Sequence, residues 1–154
     1  MIDSPHIAQS AVQLTAVIRL TIPREQIQNV MGPGLMELMA AVAAQGIAPC
    51  GPWFTHHLKM SPEIFDFEIC LPVSAPVAAV GRVMPGQLPA ARVARTVYHG
   101  PYKGLGDAWG EFERWIAANG HQSGPDLWEC YVAGPESSPD PKQWRTELNR
   151  PLID

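Results

Sequence analysis

Charge is scarce in this 154-residue chain: Asp, Glu, Lys and Arg make up 17% of it, and the formal net charge is −4. Such a balance does not indicate a basic surface for a polyphosphate backbone, so no direct nucleic-acid partner is expected. Long apolar runs are missing as well. No stretch approaches the roughly 18 consecutive apolar residues of a membrane-crossing helix, so no membrane partner is expected. The opening Met1-Ile2-Asp3-Ser4-Pro5 lacks the basic and apolar regions of a secretory leader, which makes a reducing cytoplasm the expected compartment. There are only three cysteines, Cys50, Cys70 and Cys130, odd in number and without CxxC spacing. That excludes a disulfide framework and a zinc knuckle, and leaves the thiols as small hydrophobes. A glycine-rich phosphate loop, a Ser-His-Asp set and a Cys-His pair are also lacking. The expectation is therefore no cofactor and no metal.

Apolar residues are plentiful at 46%, and sixteen prolines and thirteen glycines fall between the patterned segments as punctuation. The length suits one compact domain, 1–154. Strands are predicted over 7–14 and 15–22, where Ile18, Leu20 and Ile22 alternate with Arg19 and Thr21. Gly32-Pro33-Gly34 reads as a breaker. Leu35, Leu38, Met39, Val42 and Ala43 then recur at helical spacing, which predicts a helix over 35–45 that Gly46 ends. Strands follow over 53–60 and 65–73, the latter with Phe65, Phe67, Ile69 and Leu71 on one face and Asp66 and Glu68 on the other. Further strands are predicted over 80–84 and 91–99, separated by a Pro85-Gly86 turn region. A second helix spans 105–119, with Leu105, Ala108, Trp109, Phe112, Trp115 and Ile116 on one stripe. Strand 127–133, a polar loop over 134–143 and a closing strand over 144–152 complete the chain.

The closing strand repeats an earlier one. Phe65 matches Trp144, Glu68 matches Glu147, Pro72 matches Pro151 and Val73 matches Leu152, all 79 residues apart. The helix-ending glycines, Gly46 and Gly120, are 74 apart, and Gly51-Pro52 precedes Gly124-Pro125 by 73. The pattern predicts an α+β fold made of a duplicated β-β-α-β-β module: about eight mostly antiparallel strands and two main helices. Repeat one covers about 6–74 and repeat two about 78–153. A ligand cleft is expected along the pseudo-two-fold between them.

Tyr98-His99-Gly100-Pro101-Tyr102, Leu105, Trp109, Phe112 and Trp115-Ile116-Ala117-Ala118-Asn119-Gly120 resemble the second repeat of GyrI-like small-molecule-binding domains. Trp128-Glu129-Cys130-Tyr131, Gly134-Pro135, and Trp144-Arg145-Thr146-Glu147-Leu148 with Pro151 extend the match. The resemblance is strong over 90–152 and lies in layout over 7–73. It extends to the related effector-binding domains of AraC-type and MerR-type multidrug regulators. It implies SHS2-type repeats, ligands entering between the halves, an acid matching Glu147 that faces bound cations, and aromatic walls. Some members are the sensors of transcription factors. A stand-alone subgroup looks like hydrolases of cyclopropane-containing DNA-alkylating compounds, and others inhibit a topoisomerase. The chain has no room for a helix-turn-helix segment, so a direct transcription-factor role is not expected. Gyrase is permitted as a partner by the acidic character, but no segment argues for it.

Glu147 is the first candidate: a carboxylate among rings draws a cation, or rises in pKa and suits acid–base work. Its plainer alternative is a strand acid paired with Arg145 or Arg150. Tyr131 and Tyr98 could orient a ligand or a water, or could be core phenols. Trp53, Phe54, Trp109, Phe112 and Trp128 are candidate walls, since rings bind flat apolar molecules and cations; for Trp109 and Phe112, core packing competes. Glu68, the repeat partner of Glu147, belongs either to the site or to a solvated face. Adjacent His56 and His57 point to opposite faces of a strand, so a metal pair is not expected and both read as surface residues. His99 reads as structural, and Asp107 and Glu111 as the solvated side of the helix. The reading is a binder of hydrophobic or cationic aromatic small molecules, monomeric or homodimeric. The alternative is a hydrolase in which Glu147 and Tyr131 position a water.

Overall fold

The computed structural model describes residues 1–154, the Met60 side chain excepted. In chain order the elements are β1 (His6–Gln9), β2 (Gln13–Pro23), α1 (Ile27–Ala44), β3 (Phe54–Met60), β4 (Ile64–Pro72), β5 (Met84–Leu88), β6 (Arg92–His99), α2 (Leu105–Ala118), β7 (Leu127–Ala133) and β8 (Arg145–Pro151). Eight strands and two main helices make this an α+β fold, and the order β-β-α-β-β occurs twice. The chain forms two compact units, one of Met1–Ser10 with Ala91–Asp154 and one of Ala11–Ala90.

The units do not follow the chain halves. β1 pairs with β6, and β5 pairs with β2. Each repeat thus lends its first strand to the unit built around the other repeat's helix. The strand order in one unit is β1-β6-β8-β7 and in the other β5-β2-β4-β3, antiparallel throughout. Periodicity reports a strand and the face it buries, but not its neighbour.

In the unit of Ala11–Ala90, α1 covers Ala16 and Ile18 of β2 and Phe67, Ile69 and Leu71 of β4, packing Leu38 and Val42 against them. The expected break at Gly32-Pro33-Gly34 does not occur: α1 runs through it, with Pro33 inside the helix. Pro33 removes one backbone bond, a local cost that the buried face of α1 offsets. Gly34 has a packing reason, because a Cβ there would collide with the Ile69 side chain. The strand expected over 80–84 instead lies at 84–88 and includes Pro85 and Gly86. A proline is tolerated there because β5 is an edge strand of the unit. A Cβ on Gly86 would come within 2.9 Å of Val17, so the close crossing needs glycine.

In the other unit, α2 lays Ala108, Phe112 and Ile116 on Ala94 and Tyr98 of β6 and Leu148 of β8. Both helices end on a left-handed glycine, Gly46 at φ +69° and Gly120 at φ +77°. Ile47 N–H and His121 N–H then close back on Val42 and Ile116. Among the described residues, no helix is long and apolar enough to cross a membrane.

Candidate functional site

Strand β7 sets the site. Side chains alternate along it, so Glu129 and Tyr131 share one face while Trp128 and Cys130 share the other. The register places Glu129 opposite Leu148 and Tyr131 opposite Thr146. Leu148 packs under α2, so Glu129 and Tyr131 lie on the helix-covered face. From α2, Trp109 Nε1 donates to Glu129 Oε1 at 2.7 Å; the Tyr131 hydroxyl donates to Glu129 Oε2 at 2.8 Å. Each carboxylate oxygen is thus held by one neutral donor. Among the described residues, no basic side chain forms an ion pair with Glu129. Burial raises its carboxyl above the ordinary carboxylate range, and the two hydrogen bonds offset only part of that rise. As a whole residue Glu129 is half-buried, so it lies deep without being sealed from the surface.

Rings surround this acid. Tyr102, in a 3-10 turn before α2, meets Tyr131 edge-on at 5.8 Å and Trp144 at 5.0 Å between centroids. Trp144 Nε1 donates to the Ser138 carbonyl at 2.9 Å, which ties the 134–143 loop to the aromatic cluster. Burial, with Glu136 and Glu129 nearby, pushes the Tyr102 phenol up to about 12, so it stays a neutral donor. On the same face, the buried Thr146 Oγ1 has no hydrogen-bond partner among the described residues.

Glu147 lies elsewhere. It opposes Cys130 and Val97 in register, which puts it on the face away from Glu129 and Tyr131. Glu147 and Tyr131 are therefore not brought together, because an odd step along paired strands turns a side chain to the other side. Its carboxylate accepts from Asn149 Nδ2 at 3.1 Å and faces Arg95 Nε at 3.5 Å. The ion-pair partner is neither Arg145 nor Arg150 but Arg95 on the neighbouring strand. Beside Glu147, burial raises the Cys130 thiol to about 12. Glu68 sits in the equivalent place in the other unit, 3.6 Å from His56 Nδ1.

The remaining candidates separate. Tyr98 is buried, and its hydroxyl donates to the Pro101 carbonyl at 2.9 Å while packing against Gly104. Phe112 is wholly buried in the α2 core, and Trp109 leans on it with centroids 5.7 Å apart. Trp128 and Phe54 are buried on faces away from their unit's helix, and Trp53 packs at the margin of the α1 core. His99 Nε2 contacts Asp3 Oδ1 at 3.0 Å. The reading of His57 as a surface residue is corrected: it is 3% exposed, because its parity puts it on the α1-covered face opposite Phe67. Among the described residues, no group of three His, Cys, Asp or Glu could hold a metal ion.

Glu129, Tyr102 and Trp144 were not assigned to the site by the sequence reading. For Glu129 the signal was available: it stands two residues before Tyr131, hence on the same strand face. Tyr102 and Trp144 stood among the residues that carry the family resemblance, but only the fold brings them together. The duplication sharpens the point. Leu148 opposes Glu129 as Ile69 opposes Thr55, and Thr146 opposes Tyr131 as Phe67 opposes His57. The other unit therefore carries Thr55 and His57, 3.2 Å apart between Oγ1 and Nε2, where this one carries an acid and a phenol.

A family model described as the GyrI-like small molecule binding domain matches residues 15–152. A search of curated protein sequences finds no match. Among solved structures, the EcmrR C-terminal domain is similar at TM-score 0.88 and 20% identity, over 98% of either chain. The chain spans 57% of the EcmrR chain in an EcmrR–DNA complex, at TM-score 0.87 and 20% identity. SAV2435 bound to tetraphenylphosphonium gives 0.66 at 13% identity, over 98% of this chain and 94% of that one. A hydrolase from Listeria innocua gives 0.69 at 11%, over 97% and 91%. At these identities the likeness to solved structures is one of fold.

Proposed function

Because the chain belongs to the GyrI-like small-molecule-binding domain family, we propose that it captures hydrophobic or cationic aromatic small molecules on Glu129. The observation that carries this reading is a deep carboxylate held by two neutral donors, ringed by Trp109, Tyr131 and Tyr102, and not neutralised by any basic side chain among the described residues. A delocalised organic cation relieves the desolvation of that acid and gains the faces of the rings. It also sheds little hydration on entry, unlike a metal ion or a primary ammonium. Glu147 is a poorer anchor, since Arg95 already stands against it. SAV2435, of the same fold, binds the cation tetraphenylphosphonium, which makes that compound a natural probe.

The test is tryptophan quenching by tetraphenylphosphonium. Saturable binding is expected, and Glu129→Gln weakens it by about tenfold or more, the equivalent of one charge-assisted contact. Glu147→Gln leaves it within about twofold. Affinity in the parent chain rises with pH as the raised Glu129 carboxyl ionises, and the Gln variant shows no such rise. Equal effects at 129 and 147 would refute the assignment.

A second reading uses the same residues. A carboxyl of raised pKa bonded to a phenol is a suitable proton donor to a strained electrophile. A hydrated product from a cyclopropane-bearing alkylator, lost in Glu129→Gln, would identify a hydrolase; binding without product leaves capture as the function.

A further inference from the structure

We propose that the Glu129 site takes ligands with two positive centres joined by a flat spacer: one centre on Glu129, the second on Glu136, and the spacer along the Tyr102 ring. The proposal rests on the reading of Glu129 as a cation anchor and adds a second one. The geometry at Gly134 carries it. A Cβ built there would stand 2.6 Å from the Tyr102 hydroxyl and 2.9 Å from Glu136 Oε2. The phenol and that carboxylate therefore converge on the same point of backbone. The Tyr102 ring also meets Tyr131, whose hydroxyl holds Glu129. The two acids are thus linked through one aromatic pair, one deep and one exposed at the rim.

Glu136 is on a held backbone. Ser137 N–H and Ser138 N–H both donate to the Gly134 carbonyl, at 2.9 and 3.2 Å, and Ser138 in turn accepts from Trp144 Nε1. Among the described residues, Glu136 has no ion pair with a basic side chain. A monocation on Glu129 would leave Glu136 facing water; a second positive centre one ring away would meet it. The gain is that of an exposed ion pair, so it is modest and screened by salt.

The experiment compares benzyltrimethylammonium with its para-bis analogue, p-xylylene-bis(trimethylammonium), by tryptophan quenching at low salt. The bis compound is expected to bind about three- to fivefold more tightly, above the statistical factor of about two for its two equivalent ends. Glu136→Gln brings the ratio down to about two, and Glu136→Lys brings it lower still. A ratio near two in the parent chain, or one unchanged by Glu136→Gln, overturns the second anchor. If Glu129→Gln fails to weaken the mono compound, the first anchor falls instead. If the parent chain binds neither, both fall together.

Discussion

His57 and Tyr131 occupy the same place in the two units, and the difference between them shows what one residue decides. Tyr131 donates a hydrogen bond to a carboxylate. His57 has Thr55 on one side, stacks on Phe67 at 5.3 Å, and leaves a buried Nδ1 without a hydrogen-bond partner among the described residues. Burial, with the charges of His56 and Arg24 adding, lowers His57 to about 4. The unfolded chain takes up this proton near pH 6.5, whereas the folded chain resists it until about pH 4. Stability is therefore intact above the unfolded value and falls as pH drops, by about 3 kcal/mol at pH 4. Urea unfolding at pH 7 and pH 4 should show that loss, and His57→Phe should remove most of it. An unchanged acid limb in the variant would mean that carboxylates, not His57, set it. Glu129 works in the opposite direction. Its raised carboxyl is bound by a proton more readily in the folded state, so its burial costs stability as pH rises above the ordinary carboxylate range.

At the scale of elements, α1 is where local signals and tertiary packing disagree. Gly32-Pro33-Gly34 says stop, and the helix continues because Leu38 and Val42 gain more from the sheet than the missing bond costs. Gly34 also sets how closely α1 can approach β4. Alanine favours a helix interior over glycine by about 1 kcal/mol. Here its Cβ would enter space held by Ile69, which is itself wholly buried. Gly34→Ala should therefore lower stability by about 1–3 kcal/mol, the overpacking cost, as read by the shift of the urea midpoint. A gain in stability would show that Ile69 can turn away. The site has the same layering: β7 supplies Glu129 and Tyr131, α2 supplies Trp109, and a 3-10 turn supplies Tyr102.

For the whole molecule, the exchanged first strands tie chain order to stability. β1 covers the edge of β6 through His6↔Arg95 to Gln9↔Arg92. Deleting residues 1–10 uncovers that edge and removes no pairing from the unit of Ala11–Ala90. Hydrogen exchange should speed up across Arg92–Arg95 and stay unchanged in β2 and β4. Equal deprotection of both units would mean that the strand supports more than its own neighbours.

The repeat, the number of strands and helices, the glycine stops and the family resemblance were legible in the residues, because periodicity and punctuation are local properties; the place of β5 and the start of α1 were not. The identity of the anchoring acid was not. Glu129 and Glu147 are both carboxylates between β-formers, and a linear pattern cannot say which has a cation beside it. Register decided that: it set Arg95 near Glu147 and gave Glu129 an indole and a phenol. The desolvation that makes an acid a receptor depends on neighbours distant in the chain, and only folding supplies them.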